Sequence, residues 1–314
     1  MLARVANNLF WMGRYIERTE HTARYLNVNY FSSLDAPNEI SQSRQFVLHS
    51  MLNMAGDDAA DENVTLDEKE VLYDISLNRE KHYSVISSVM FARENANSAR
   101  DLISTELYEA INKFYHFVLN YSPDFLAEKG LYDFTVNVTE MTAILKTKIK
   151  GTLLHDEIYA IIMLGVNLER AIQIIRIINA KYDDALKAKD ESAHITNSYE
   201  WITLLKCAES YDMMRRFYKK TPNSINTLEF LILNPHCPRS VMNSLNEVYD
   251  HIQVLDQNKY INKNSTTFLV GKIRAEYEFK VIEEIEGKLK PFIENILTQL
   301  VSISTKMENE YFNY

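Results

Sequence analysis

Glycine and proline are both scarce in this chain, with seven and six among 314 residues. Turn-rich β folds and glycine-rich phosphate loops need more glycine than this. No GxGxxG or P-loop signature occurs, which disfavours standard nucleotide binding. Cysteine is scarcer still. Cys207 and Cys237 form no metal-type pair, and two cysteines in so long a chain suit a reducing compartment. The eight histidines show no zinc spacing, so neither a metal nor another cofactor is expected. Positive charge is in deficit, and a net charge of −9 argues against nucleic acid as the partner. Long apolar runs are also lacking. The longest uncharged one, Ile158 to Leu168, is too short to span a bilayer. The opening MLARVANNLFWMGRYIERTE carries Arg4, Arg14 and Glu17 where a secretory signal needs an unbroken apolar stretch. These absences together read as a cytoplasmic protein with no membrane span.

What is present is a chain 46% hydrophobic and long enough for a large core, patterned at helical spacing. Val5, Leu9, Met12, Ile16, Ala23 and Leu26 recur three to four apart, predicting a helix over 1–32. Pro37 interrupts it, and a second helix runs to about Ala55. Gly56 to Asp67 reads as a polar loop, and a short element leads to Asn78. A helix is expected from His82 to Leu119, then a break at Ser122 to Gly130. Two more helices follow, the second from about His155 to Lys187, and another spans Trp201 to Lys219. Asn234 to Pro238 is a tight turn. A long helix runs from about Thr266, with Pro291 as a kink or break. The fold class is all-α, a helical bundle.

The chain also repeats itself. GRYIERTEHTARYLNVNY (Gly13 to Tyr30) aligns without gaps on GVNLERAIQIIRIINAKY (Gly165 to Tyr182), sharing the glycine, Glu17/Glu169, Arg18/Arg170, Arg24/Arg176, Asn27/Asn179 and the tyrosine. LNREKHYSVISS (Leu77 to Ser88) aligns in the same way on LNPHCPRSVMNS (Leu233 to Ser244). The blocks keep their order and nearly their separation. A duplicated helical unit is expected, with one domain over 1–314 made of two pseudo-two-fold repeats, about 1–150 and 151–314.

The repeat carries the charges that point to function. Arg14, Glu17, Arg18, His21 and Arg24 fall within an arc of roughly 120° on one helix. Alone, they read as a solvated face whose pairs contribute ~0.3–0.5 kcal/mol each. The second copy weighs against that. Glu169, Arg170 and Arg176 stand among Ile161, Ile162, Leu164, Leu168, Ile172, Ile174, Ile175, Ile177 and Ile178, and a helix apolar on nearly every side is a buried one. Its charges must then be paired. They form either a structural ion network or a site whose arginines grip a carboxylate or phosphate. FARENANSARDLISTEL (Phe91 to Leu107) adds Arg93, Glu94, Asn97 and Arg100 on a helix that is otherwise ordinarily amphipathic.

Other motifs are weaker. Asp57, Asp58 and Asp61 spell DDxxD but follow Gly56 in a polar loop, with only Asp183-Asp184 as a faint partner. Glu191 and His194 form the single Glu-x-x-His match to a di-iron pattern. The two cysteines read as small buried residues and the nineteen tyrosines as packing.

MLARVANNLFWMGRYIERTEHTARYL resembles the opening of the bacterial alpha-E family, predicted all-helical proteins with a recurrent Glu-Arg motif. FARENANSARDLISTELYEAIN resembles that family's central segment, and LGVNLERAIQIIRII and FLILNPHCPRSV resemble parts of its second half. The likeness runs from Met1 to about Leu245. Two positions depart from the pattern: Tyr108 stands where the family has tryptophan, and LNREKHYS stands where it has an Asp-x-x-Asn-Pro-Ser turn. The resemblance implies an association with a circularly permuted ATP-grasp ligase and a transglutaminase-like protease, in peptide or amide-bond synthesis or peptide tagging. Three readings follow. The first is a non-catalytic partner binding an acidic peptide or small anion in a pocket lined by Arg14, Arg18, Arg93, Arg100 and Arg170. The second is an enzyme with Glu17 or Glu169 as general base, His21 beside it, and a raised carboxylate pKa. The third is a scaffold with all charges mutually satisfied and no cavity. Nothing in the sequence sets an oligomeric state.

Overall fold

The computed structural model describes residues 3–32, 44–57, 64–187, 193–256, 262–285 and 287–312, and no strand occurs among them. The helices are α1 (Ala3–Ser32), α2 (Arg44–Ala55), α3 (Glu68–Ser76), α4 (Val85–Ser98), α5 (Thr105–Leu119), α6 (Pro123–Phe125), α7 (Leu131–Thr152), α8 (Glu157–Lys187), α9 (Ala193–Cys207), α10 (Tyr211–Tyr218), α11 (Ser224–Leu228), α12 (Val241–Leu255), α13 (Thr266–Glu278) and α14 (Leu289–Met307). Many of them begin on a polar cap. Asp67, Ser84, Ser104, Ser122, Asn223, Ser240 and Ser265 each accept a backbone N–H of the first turn through the side chain. Such caps are worth ~1 kcal/mol each.

The core is organised around two long helices. α1 packs on α8, α4 and α7, while α8 packs on α1, α12 and α14. Outside them α4 meets α5 and α5 meets α7, and likewise α12 meets α13 and α13 meets α14. α2 and α9 each touch both long helices.

Several boundaries differ from expectation, each for a local reason. The helix expected over 82–119 is interrupted after Ala99, and Ser104 starts a new one by capping Leu107. The one expected over 201–219 divides at Glu209, whose φ of 53° is left-handed. The break expected at 122–130 is helical instead. Pro123 sits at the first helical position, where its missing N–H costs nothing, and a π-turn over 126–130 leads into α7. Pro291 likewise lies in the first turn of α14, and the chain breaks before it, between Glu278 and Leu289. Pro37 and most of the polar loop, with Asp58 and Asp61, lie outside the described residues, as does Glu191. The side chains of Asp183, Asp184 and His194 lie outside them too. Asp57 accepts the hydroxyl of Tyr83 at 2.6 Å.

α8 also corrects the hydropathy reading. Glu157–Tyr182 is long and apolar enough to cross a membrane by length and composition, because a low density of charges does not end the stretch at Leu168. Within the bundle, most of that stretch is buried.

The α1–α8 crossing depends on two glycines. A Cβ on Gly13 would lie 2.3 Å from the carbonyl oxygen of Ile162, and one on Gly165 would lie 2.1 Å from that of Phe10. Both obstacles are backbone, so the helices approach closely because no side chain stands between them. Alanine raises helix propensity by ~1 kcal/mol over glycine, yet here it forces the helices apart. Gly13→Ala and Gly165→Ala are each expected to destabilise the fold by ~1–3 kcal/mol or more. Gly151→Ala in α7 meets nothing within 4 Å and is expected to stabilise it, by a few tenths to about 1 kcal/mol. Urea unfolding of the three variants checks the opposite signs.

Candidate functional site

One turn beyond each glycine stands a glutamate, Glu17 in α1 and Glu169 in α8, and neither is exposed. The arginine after each lies about 100° further round its helix, so it cannot serve the glutamate beside it. It reaches across the crossing instead. Arg170 donates from Nε and Nη2 to Glu17 at 2.7 and 3.2 Å. Arg18 donates from Nε to Glu169 at 2.7 Å. Glu169 is completed by Arg14 at 2.8 Å and by the Gln173 amide at 2.8 Å. Arg14 is itself held by Ser304 of α14 at 3.0 Å, and its guanidinium lies over the Trp11 ring at 4.4 Å.

On the Glu17 side the network extends further. Lys146 of α7 pairs with Glu17 at 2.5 Å and with Glu20. Arg239 donates to Glu20 at 2.8 Å, lies 3.5 Å from Glu17, and also pairs with Glu209. Arg24 pairs with Glu20 and, at 3.0 Å, with Glu209. The two-proline turn positions Arg239. Asn234 Oδ1 accepts the backbone N–H groups of His236 and Cys237, and Ser240 caps α12 immediately after the arginine. Glu209 occupies the left-handed residue that closes α9. The Ser210 N–H bonds Leu205 O, and the Glu209 N–H bonds Lys206 O, a Schellman ending in which glycine is the usual residue. Among the described residues, six cations thus meet four carboxylates in two neighbouring networks, Arg14 and Arg18 on Glu169, and Arg24, Lys146, Arg170 and Arg239 on Glu17, Glu20 and Glu209.

Burial acts against ionisation of Glu17, but Arg170, then Lys146 and His21, outweigh it and hold the carboxyl well below the ordinary range. Burial likewise opposes ionisation of Glu169, and Arg18 and Arg14 reverse it. Burial pushes the His21 imidazole down to about 4, against the pull of Glu17. His21 is therefore neutral near pH 7. Its Nε2 lies 3.2 Å from Glu17, an ionised acceptor, so Nε2 carries the hydrogen. The buried Nδ1, an acceptor in this tautomer, has no hydrogen-bond partner among the described residues. Gln173 does for Glu169 what His21 does for Glu17: both are four residues on, and both donate an N–H.

Beside this cluster α7, α8 and the start of α12 enclose a cavity of about 320 Å³. Lys146, Lys150 and Arg170 face it, with Asn167, Asn243 and the single carboxylate Glu247. Ile149, Met163 and Val166 supply apolar wall.

Of the residues singled out from sequence, Arg14, Glu17, Arg18, His21, Arg24, Glu169 and Arg170 come together. The others have different neighbours. Arg93 donates to Asn112 at 2.7 Å and lies over Tyr115. Arg100 reaches Thr105 and lies over Tyr108, whose hydroxyl bonds Asn97 at 2.7 Å. Glu94 and Arg176 are exposed. Sequence reasoning missed Glu20, Lys146, Glu209 and Arg239. Arg239 had a signal in the preserved second copy of the turn motif, and Glu20 lies within the motif helix. Lys146 and Glu209 carry none.

Two predictions follow from the cluster. Removing both guanidinium groups with Arg14→Met and Arg18→Met leaves Glu169 buried without a cation. The loss is expected to be ~3–5 kcal/mol in urea unfolding, and a loss below ~0.5 kcal/mol would show the pairs to be inconsequential. The second concerns acid. The folded pKa of His21 lies below its unfolded value, so the unfolded chain takes up the proton first. Stability therefore falls as pH drops from about 6.5 towards 4, by on the order of 3 kcal/mol from this residue. The glutamates, whose folded pKa values are lowered, add their loss below about 4.5. His21→Gln, copying Gln173, is expected to flatten the upper limb and keep the lower one, measured as unfolding free energy against pH.

No curated protein and no solved structure matches the chain. A family model does, over residues 1–312: Alpha-E, a predicted alpha-helical domain with a conserved ER motif. This chain carries two Glu-Arg steps that cross-pair between α1 and α8, and it belongs to the Alpha-E family.

Proposed function

We propose that this chain is a non-catalytic helical partner of an ATP-grasp-type ligase, acting in peptide or amide-bond synthesis or tagging, and that it holds a carboxylate or other small anion at the margin of its Glu-Arg cluster. The observation that carries the binding half is the cavity beside the cluster. Three cations face it against one carboxylate, and its volume of about 320 Å³ falls in the range of small-ligand sites. Lys150 is the free member. It is exposed and has no ion-pair partner within 4 Å among the described residues, whereas Lys146 and Arg170 are committed to Glu17. Asn167 and Asn243 supply amides, and the apolar wall suits the body of a peptide. The ligase half rests on the family likeness.

The alternative of an enzyme with Glu17 or Glu169 as general base fits less well. A base working near neutral pH needs a carboxyl raised towards 7 and access to substrate. Both carboxyls here are lowered, fully buried and occupied by cations. A pure scaffold does not call for a cationic cavity.

The pseudo-two-fold duplication is part of the same proposal. Gly13 faces Ile162 and Gly165 faces Phe10, and Glu17 takes Arg170 while Glu169 takes Arg18. Each contact becomes its counterpart under the 152-residue offset of the sequence repeat. The helix pairings agree, with α4 and α7 on α1 matched by α12 and α14 on α8.

Calorimetric titration tests the site with a short acidic peptide as its free carboxylate and as its C-terminal amide. The carboxylate form is expected to bind more tightly, and Lys150→Ala to weaken it by roughly five- to tenfold, as loss of one partly exposed ion pair would. Equal binding of both forms, or no effect of Lys150→Ala, would remove the cavity as the anion site. In the same series, a circularly permuted ATP-grasp ligase assayed with and without the chain should form amide faster with it, and an unchanged rate would remove the partnership.

A further inference from the structure

Glu209 is the odd member of the cluster. Its side chain is 58% exposed, while those of its two partners, Arg24 and Arg239, are 10% and 16% exposed. The bonding is layered. The Nη2 atoms of Arg24 and Arg239 both contact Glu20 Oε1 on the buried side and Glu209 Oε2 on the solvent side. A buried carboxylate therefore fixes two guanidinium groups from within, and an exposed carboxylate oxygen caps the same pair from without. The inner carboxylate is locked by Lys146 as well. The outer one is attached only through a helix-ending turn.

Two further observations point to this outer position as an anion subsite. Arg24 is 91% buried, and its Nη1 has no hydrogen-bond partner among the described residues, so the guanidinium whose Nη2 meets Glu209 keeps a spare donor. The local charge is also unbalanced. Without Glu209, Arg24, Arg239, Lys146 and Arg170 face only Glu17 and Glu20, with His21 neutral. Even with Glu209 in place, cations exceed carboxylates on this side. The backbone adds a third consideration. The C′ position of a Schellman ending favours glycine, and a glutamate there pays the left-handed penalty of roughly 1 kcal/mol. The Glu209 side chain, not its backbone, suits this position.

We infer that the carboxylate of Glu209 is a built-in stand-in for a ligand carboxylate, occupying a subsite formed by Arg24 and Arg239 from which an external carboxylate displaces it. The inference rests on the reading of the Glu-Arg cluster as an anion-binding element. The incumbent defines the ligand class: a monoanionic planar carboxylate, as at a peptide C-terminus or a glutamyl side chain. In the unliganded protein the subsite is closed by Glu209. A ligand that reaches both arginines and the Arg24 Nη1 donor swings the exposed side chain into solvent.

The test is chemical rescue, read as thermal stability of the full chain. Glu209→Gly removes the carboxylate while giving the turn its preferred residue. Glu209→Gln keeps the size of the side chain and serves if the glycine variant folds poorly. In sodium propionate, compared with sodium chloride at equal ionic strength, both variants are expected to gain about 2–4 °C in Tm, while the wild type, in which the carboxylate must first displace Glu209, gains clearly less. Adding Arg239→Met to Glu209→Gly should abolish the gain. Adding Lys150→Ala should leave it intact, which separates this subsite from the cavity between α7, α8 and α12. A gain with phosphate but not propionate would overturn the carboxylate assignment. Equal responses of wild type and variants, or none in either variant, would show Glu209 to be an ordinary surface ion pair.

Discussion

Backbone touches backbone where α1 crosses α8, and the distance set there decides what the charged residues can do. With Gly13 under the carbonyl of Ile162 and Gly165 under that of Phe10, the two helices lie too close for any side chain to intervene. Residues one turn on from each glycine then face the opposite helix at hydrogen-bonding range. That is why Glu17 finds Arg170 and Glu169 finds Arg18, although each glutamate has an arginine as its immediate neighbour. A wider crossing would part Glu17 from Arg170 and leave Glu169, whose two cations both come from α1, as a buried carboxylate without a partner, at several kcal/mol. The glycines and the ion pairs therefore stand or fall together. The scarcity of glycine elsewhere in the chain makes its presence at these two points a structural requirement, not a compositional accident.

The two ends of the lock have different fates. Glu169 is closed off by Arg14, Arg18 and Gln173, with Ser304 holding Arg14 from behind. Its surroundings resemble a finished ion network. Glu17 opens instead onto Lys146, Glu20, Arg239 and, through them, onto Glu209 at the surface and the cavity beside α7. The corresponding positions explain the asymmetry. Glu20 falls at Ile172 in the second alignment block, and Arg239 falls at Tyr83 in the first. If the halves descend from one unit, polar additions to the Glu17 end have turned a symmetric lock into a one-sided site. Rigidity then comes from the Glu169 end and accessibility from the Glu17 end.

Much of this was legible in the sequence, and what was not has a physical reason. The apolar surroundings of Glu169 announced burial, and burial demanded pairing. The pairing pattern itself was hidden. Cross-helix partners depend on crossing geometry, which the helical period alone does not give, so Arg170 could be taken as serving Glu169 when it serves Glu17. Arg93 lies in α4, which does touch α1, and Arg100 lies just beyond its end, yet both sit over aromatic rings of α5, and Arg93 also bonds the Asn112 amide. Helical periodicity gave their face without giving the depth at which that face meets its neighbour. Boundaries failed where proline was read as a stop. Pro123 and Pro291 both sit in first turns, where proline is a start signal and the absent N–H has no bond to lose.

Lys146 shows the same limit from the other side. Nothing about TAILKTKIKG marks one lysine as special, and Lys148 and Lys150 follow Lys146 two and four residues on. Position on the helix separates them. Lys146 points inward to Glu17 and Glu20, while Lys150, one turn later, is exposed at the cavity with no carboxylate within 4 Å among the described residues. A committed cation and an uncommitted one on the same face make a graded electrostatic path from the buried lock to solvent. On the proposed reading, an anion would meet Lys150 first, where desolvation is cheap, and then the field of the less exposed Lys146 and Arg170, where each charge counts for more. Removing the buried cations would disturb the fold, so under the proposed anion-binding reading specificity is adjusted at the exposed members, Lys150 on one side and Glu209 on the other.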